Sequence, residues 1–246
     1  MPNCLQTNTG KLVYHHYAGT TNYGVVFFGG FMSDMEGTKA LYLEEYCKNN
    51  NIQFTRFDYF GHGQSKGKFT DGTISIWLDN CLAILDNICI GKQVIIGSSM
   101  GGWLMLLAAL ARPQRIKALI GIAAAPDFTE KLIYNELTDS QRQELEDNGV
   151  YHAPSCYDDG EPYPITKQLI EDGRKHLLLD NNIDIKPPVH LIHGMQDIDV
   201  PYGLSIQIAK QVIGDNVQLS ILKSGDHRMS DKASLEILEG ALSKFI

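Results

Sequence analysis

Short apolar runs alternate along the chain with longer segments in which apolar residues recur every three or four positions. That alternation predicts strands and helices in turn. Residues 24–28, Gly-Val-Val-Phe-Phe, are continuously apolar and end at Gly29-Gly30, which predicts a strand buried on both faces in a parallel sheet. Residues 12–17 alternate and carry aromatic side chains, as expected of an antiparallel edge strand. Further strands are predicted over 52–59, 93–96, 116–125, 189–193 and 218–222. Helical spacing covers Thr38–Asn49, 74–90, 103–111, 202–213 and 231–245. In 74–90 the residues Ile74, Trp77, Leu78, Cys81, Leu82, Leu85 and Ile88 mark one buried face. Strand and helix in this rhythm imply an α/β fold with a mostly parallel central sheet covered by helices on both faces.

The rhythm breaks between Pro126 and Pro188. This stretch reads as 129–136, a polar helical segment over 139–148, a turn-rich 151–164 and helical spacing over 165–179. An insertion at this point lies above the C-terminal edge of the sheet, where open α/β folds bind ligands, so 126–188 is expected to form a small lid. It would supply apolar Leu132, Ile133, Leu137, Tyr151, Tyr157, Ile165, Leu169 and Leu177, with polar Arg174, Lys175 and His176. No linker divides the 246 residues, so the expectation is a single domain over 1–246 with 126–188 inserted within it.

Charge narrows the partners. The net charge of -8, with no cluster of Lys and Arg, argues against nucleic acid or an anionic membrane. No apolar run reaches the roughly 18 residues of a membrane span, so stable membrane insertion is not expected. Cys4, Cys47, Cys81, Cys89 and Cys156 are odd in number and lack metal-site spacing. Neither a disulfide framework nor a metal centre is expected, and a reducing compartment is implied. The N-terminus shows no basic region followed by an apolar one, so the chain reads as cytoplasmic or as the mature form of an organelle protein. The pattern specifies no oligomeric state.

Against this background the stretch 92–111 carries the chemistry. Gly97-Ser98-Ser99-Met100-Gly101 matches G-x-S-x-G between a strand-like and a helix-like segment, the context in which that motif holds a serine nucleophile on a sharp turn. Ser98 lies outside the frame of the motif. A serine hydroxyl needs a base, and the base needs an acid to orient it. Asp197 follows the strand at 189–193 and His227 follows the last strand, in the order Ser, Asp, His. Asp199, Asp226 and Asp127 are rival acids. His193 reads as a wall or core histidine, and His62, between two glycines, as part of a loop-shaping segment. Backbone N–H groups of Phe31, in the loop Gly29-Gly30-Phe31-Met32-Ser33-Asp34, and of Met100 are the expected oxyanion donors.

Gly97-Ser-Ser-Met-Gly101, the Asp58-x-x-Gly61-x-Gly63-x-Ser65 loop and His193-Gly-x-x-Asp197-x-x-Val-Pro201 together resemble the α/β-hydrolase superfamily over nearly the whole chain. Gly30-Phe-Met-Ser-Asp-Met-Glu-Gly-Thr-Lys-Ala40, with Gly101-Gly-Trp-Leu-Met105 and Ala111-Arg-Pro113, resembles a narrower group. These are the mitochondrial palmitoyl-protein thioesterases, also called mycophenolic acid acyl-glucuronide esterases, and their bacterial relatives. The resemblance implies hydrolysis of thioesters or activated esters through Ser99, Asp197 and His227, on a small-molecule or acyl-protein substrate and without cofactor or metal. The mitochondrial proteins carry a leader, whereas Lys11 already lies close to the first strand here, so a bacterial cytoplasmic setting and the mitochondrial matrix both fit. Two alternatives stay open: a non-catalytic binding protein of the same fold, and an esterase with perhydrolase-type side activity.

Overall fold

The computed structural model describes residues 2–154 and 162–246. In chain order the strands are β1 (Asn3–Thr7), β2 (Gly10–Tyr17), β3 (Tyr23–Phe28), β4 (Gln53–Phe57), β5 (Lys92–Ser98), β6 (Ile116–Ile122), β7 (Val150–Ala153), β8 (Tyr163–Thr166), β9 (Val189–Gly194) and β10 (Val217–Leu222). Eight of them form one sheet in the order β1-β2-β4-β3-β5-β6-β9-β10, while β7 and β8 pair separately. From β4 to β10 all neighbours are parallel; β1 and β2 are antiparallel additions.

The inner strands are buried at nearly every position, and successive residues serve opposite faces. Val26, Phe28 and Ile95 pack with α2 (Ile74–Asn87), α3 (Met100–Ala111) and α6 (Gly203–Gln211). Val25, Phe27, Val94 and Ile96 pack with α1 (Thr38–Asn49) and α7 (Lys232–Leu242). A strand covered on both sides needs apolar residues at both phases of its two-residue period, which is why 24–28 and 94–96 are unbroken apolar runs. The helix α3 is buried from Met100 to Ala109, consistent with its lack of a polar face.

The sheet departs from expectation at its first edge. Residues 12–17 do belong to an antiparallel strand, β2, but β1 pairs outside it, through a turn in which Thr7 Oγ1 donates to the Gly10 carbonyl at 2.7 Å. Only Leu5 in β1 packs against the core, so five residues with one apolar contact leave no readable period.

Between β6 and β9 lie a π turn (Thr129–Ile133), α4 (Asp139–Asn148), the β7–β8 hairpin and α5 (Lys167–Gly173). The polar helix α4 is set by its ends. Thr138 accepts from the Gln141 N–H, Gln141 Oε1 accepts in return from the Thr138 N–H at 2.8 Å, and Gly149 closes the helix in the left-handed region with φ 73°. The helical reading of 165–179 is corrected. Ile165 and Thr166 extend β8, Thr166 caps the short α5, and a 3-10 turn, Arg174–His176, follows. Pro164 restricts Tyr163 to extended backbone, and pairing with β7 continues it. Part of the expected turn-rich 151–164 is likewise strand; Cys156 and Tyr157 lie outside the described residues.

The four described cysteines are free thiols, and burial raises the Cys47 and Cys89 thiols to about 12. No helix among the described residues is long and apolar enough to cross a membrane.

Gly240 sits exposed inside α7, and a Cβ there would meet nothing within 4 Å. Gly240→Ala is expected to stabilise the chain by about 0.5–1 kcal/mol, and a thermal melt should show a Tm higher by about 1–4 °C. A lower Tm would contradict this account of α7.

Candidate active site

The chain leaves β3 toward β4 on one side and returns to β5 on the other, so the C-terminal ends of β3 and β5 flank the point where strand order reverses. Ligands bind at such a crevice in open α/β sheets. At the end of β5 stands Ser99, with φ 54° and ψ -118°, a conformation rarely adopted by residues other than glycine and costing about 1–3 kcal/mol. The surroundings enforce it. Ser99 N–H donates to the Ile122 carbonyl at 2.9 Å, and its carbonyl accepts from Gly102 and Ala125 at 2.8 and 3.1 Å. A Cβ on Gly97 would lie 2.3 Å from the Gly101 oxygen, and one on Gly101 would lie 2.1 Å from the Phe28 oxygen. The elbow therefore requires glycine on both sides of the serine.

The loops after β9 and β10 meet by the same means. A Cβ on Gly194 would lie 2.1 Å from the Gly225 oxygen, and Gln196 N–H donates to that oxygen at 2.9 Å. This contact brings Asp197 beside His227. His227 Nδ1 lies 2.8 Å from Asp197 Oδ2, and His227 Nε2 lies 3.1 Å from Ser99 Oγ. Because Nδ1 faces a carboxylate, it carries the proton in the neutral ring and Nε2 is left to accept from the serine hydroxyl.

Asp197 is also held by a histidine that the sequence reading took only for a wall or core residue. His193, fully buried, sets Nε2 at 3.0 Å from Asp197 Oδ2 and at 2.9 Å from the Val200 carbonyl. Both neighbours are acceptors, so the proton is on Nε2 and Nδ1 accepts from Ser205 Oγ at 2.7 Å. Asp197 Oδ1 accepts from the N–H groups of Asp199 and Val200 at 3.0 and 2.8 Å. Burial opposes the charge on this carboxylate, but the hydrogen bonds from His193 and His227 outweigh it and hold the group well below the usual carboxylate range. The i, i+4 spacing of His193 and Asp197 across the strand end was the available signal for this pairing. Ligand atoms of Asp197, Asp199 and His227 lie within 4.8 Å of one another. Both Asp197 oxygens are already occupied by N–H donors, an arrangement suited to orienting an imidazole and not to holding a metal.

Two of the rival acids are engaged elsewhere, whereas a carboxylate atom of Asp199 lies within 4.8 Å of Asp197 and His227. Asp127 accepts from the N–H groups of Leu178 and Leu179 at 2.8 and 2.9 Å, which pins the end of the insertion to the end of β6. Asp226 accepts from Met229 N–H at 2.8 Å, and Asp199 contributes its own N–H to Asp197. His62 packs among Tyr59, Phe69 and Trp77, and burial lowers its pKa to about 4.

Phe31 and Met100 line the same cavity as Ser99. Met100 opens α3, so its N–H has no acceptor within the helix. The loop that carries Phe31 is gripped at Met35, whose N–H donates to Asp58 Oδ1 at 2.7 Å and whose carbonyl accepts from Arg56 at 3.0 Å. Asp58 Oδ2 accepts from Gln64 N–H at 2.8 Å, and Gly63 passes so close that a Cβ would lie 2.3 Å from that oxygen. The Asp58-x-x-Gly61-x-Gly63-x-Ser65 loop is thus a brace for the Phe31 loop.

The cavity measures about 580 Å³. Phe128, Leu132 and Ile133 wall it on one side, and Pro154, Tyr163 and Ile165 of the β7–β8 hairpin close it above. Lys39 and Arg228 also line it, and the sequence reading gave Lys39 no role of its own.

Comparison with known proteins places this geometry in context. A family model described as serine aminopeptidase, S33, matches residues 21–146, and one described as prolyl oligopeptidase family matches 88–245. The mitochondrial palmitoyl-protein thioesterase ABHD10 of Bos taurus is 41% identical over 228 residues, covering 93% of this chain and 74% of the relative. A putative hydrolase from Agrobacterium vitis superposes with TM-score 0.96 at 35% identity, over 100% of this chain and 98% of the other. Mouse ABHD10 superposes with TM-score 0.91 at 37% identity, over 99% and 97%.

A depressed carboxylate pKa contributes stability that is present above the ordinary carboxylate value and lost as pH falls through the folded one. Asp197→Asn is therefore expected to cost about 1–3 kcal/mol at pH 7, with the gap to the parent narrowing below pH 4. Urea unfolding at pH 7 and pH 3 measures it, and an equal gap at both would rule the carboxylate out as its source.

Proposed function

The chain belongs to the α/β-hydrolase family, among the relatives of ABHD10, and on that premise we propose that it cleaves carboxylic esters or thioesters through an acyl-enzyme on Ser99. The observation that carries this reading is the unbroken line from Ser99 Oγ through His227 to Asp197. Ser99 Oγ attacks the acyl carbon while His227 Nε2 takes its proton, and Asp197 stabilises the imidazolium that forms. The negative oxygen of the tetrahedral intermediate rests on the N–H groups of Phe31 and Met100, each such donor contributing about 2.7–4 kcal/mol to the barrier reduction. His227 gives the proton to the departing alkoxide or thiolate. Water, deprotonated by the same nitrogen, then attacks the acyl-enzyme and releases the acid.

In this reading 126–188 acts as a lid on one domain, and its apolar residues Leu132, Ile133 and Ile165 receive the acyl chain. The substrate is a small-molecule or acyl-protein ester or thioester, a class supported by the thioesterase name of the relatives. Their mitochondrial designation supports a mitochondrial setting for this chain.

Ser99→Ala is expected to lower turnover of p-nitrophenyl butyrate by about 10³-fold or more with an unchanged circular dichroism melt. It should also abolish labelling by a fluorophosphonate probe. Parental turnover in this variant would end the proposal, and a wild-type chain that fails to label would favour a binding module.

Pocket depth should appear in a series of acyl thioesters and oxoesters from C2 to C16 as a maximum in kcat/KM. Lengthening the chain past that maximum should lower kcat/KM; a flat series would show that the cavity does not hold the acyl group.

A further inference from the structure

One charged group in the cavity has no part in the chemistry above. Lys39, the second residue of α1, runs across the cavity wall to the loop that follows β10. Its ammonium donates to the carbonyl of Arg228 and reaches Ser230 Oγ at 3.4 Å. Among the described residues no carboxylate is in ion-pair contact with it. Lys39 is half-buried, and its hydrogen bonds go to this loop, a placement that calls for a reason.

The loop supplies that reason. It runs from Asp226 to Ser230 and carries His227 next to the gripped residue. Met229 has φ 46°, a conformation that persists only where its surroundings over-determine it. Within the loop, Asp226 accepts from Met229 N–H, and Ser230 Oγ donates to the Arg228 carbonyl at 2.9 Å. The Lys39 ammonium is what ties this strained segment to α1.

We propose that Lys39 is a positioning residue for His227, holding the 226–230 loop so that Nε2 stays within hydrogen-bond reach of Ser99 Oγ. The proposal rests on the reading of Ser99 and His227 as nucleophile and base. A catalytic group displaced by about 1 Å costs on the order of 10²-fold in rate, so an anchor one residue away acts chiefly on kcat. Burial lowers the Lys39 pKa to about 8, Asp226 opposing and Arg228 assisting the shift. The other charged or titratable groups on the walls it shares are Asp34, Tyr163, Asp199 and His227. Below pH 8 the ammonium offers three N–H donors; above it the neutral amine is a weaker donor and the anchor loosens.

The test uses the full chain, p-nitrophenyl butyrate from pH 6 to 9.5, and the variants Lys39→Met and Lys39→Arg, with Ser99→Ala in parallel. Lys39→Met should lower kcat at pH 7 by about 10- to 100-fold, leave KM within about twofold and Tm within a few degrees, and lack the decline near pH 8. Lys39→Arg, whose cation does not titrate here, should restore most of kcat and carry it past pH 9. A kcat within twofold of the parent in Lys39→Met, or a raised KM at unchanged kcat, would overturn the proposal. Should Lys39→Met fail to fold, a Lys39→Arg enzyme that still declines near pH 8 would overturn it instead. If Ser99→Ala is inactive while Lys39→Met behaves as the parent, only the role of Lys39 falls; if Ser99→Ala is active, the underlying reading falls.

Discussion

The site depends on how closely backbones approach at the C-terminal edge of the sheet. Gly97 and Gly101 meet across the elbow, and Gly194 meets Gly225 between the last two strand ends; at each contact a single Cβ would collide with main-chain oxygen. These contacts set the spacing of three loops from three different strands, so a hydroxyl, an imidazole and a carboxylate can share one line of hydrogen bonds. Interiors this dense transmit small displacements instead of absorbing them, and geometry at the level of tenths of an ångström is inherited from the packing of the sheet.

Asp197 is the electrostatic centre of that line. Its side chain is fully buried, and it accepts from two imidazoles and two backbone N–H groups. An ionised carboxylate so deep is tolerated only when its lone pairs are filled. His193 fills one of them, with its own proton fixed by Val200 and Ser205. The tautomer of His227 thus follows from a chain of partners that ends in the core. The brace formed by Arg56 and Asp58 around Met35 does for the Phe31 loop what His193 does for Asp197.

Much of this was legible before any coordinates. Unbroken apolar runs marked β3 and the middle of β5, because a strand covered on both faces leaves a one-dimensional signature. The residues 99, 197 and 227 could be singled out because each follows a strand end, and the structure places their side chains within hydrogen-bond reach of one another. What escaped were features that depend on partners distant in sequence. β1 has one apolar contact and no period. Residues 163–166 are strand because of β7, not because of their spacing. Lys39 looks ordinary in one dimension; its meaning lies in a loop carbonyl that only the fold brings near.

The imidazole hangs from an edge strand of the sheet. β10 pairs on one side only, and its residues are exposed or half-exposed, whereas β5 beneath the serine is walled in on both faces. Regions with few buried contacts open at lower free energy than the global transition. Detachment of this edge strand would therefore withdraw the proposed base while the serine and the elbow stay in place, so that on heating or in mild denaturant the proposed activity is lost before the chain ceases to be a folded protein.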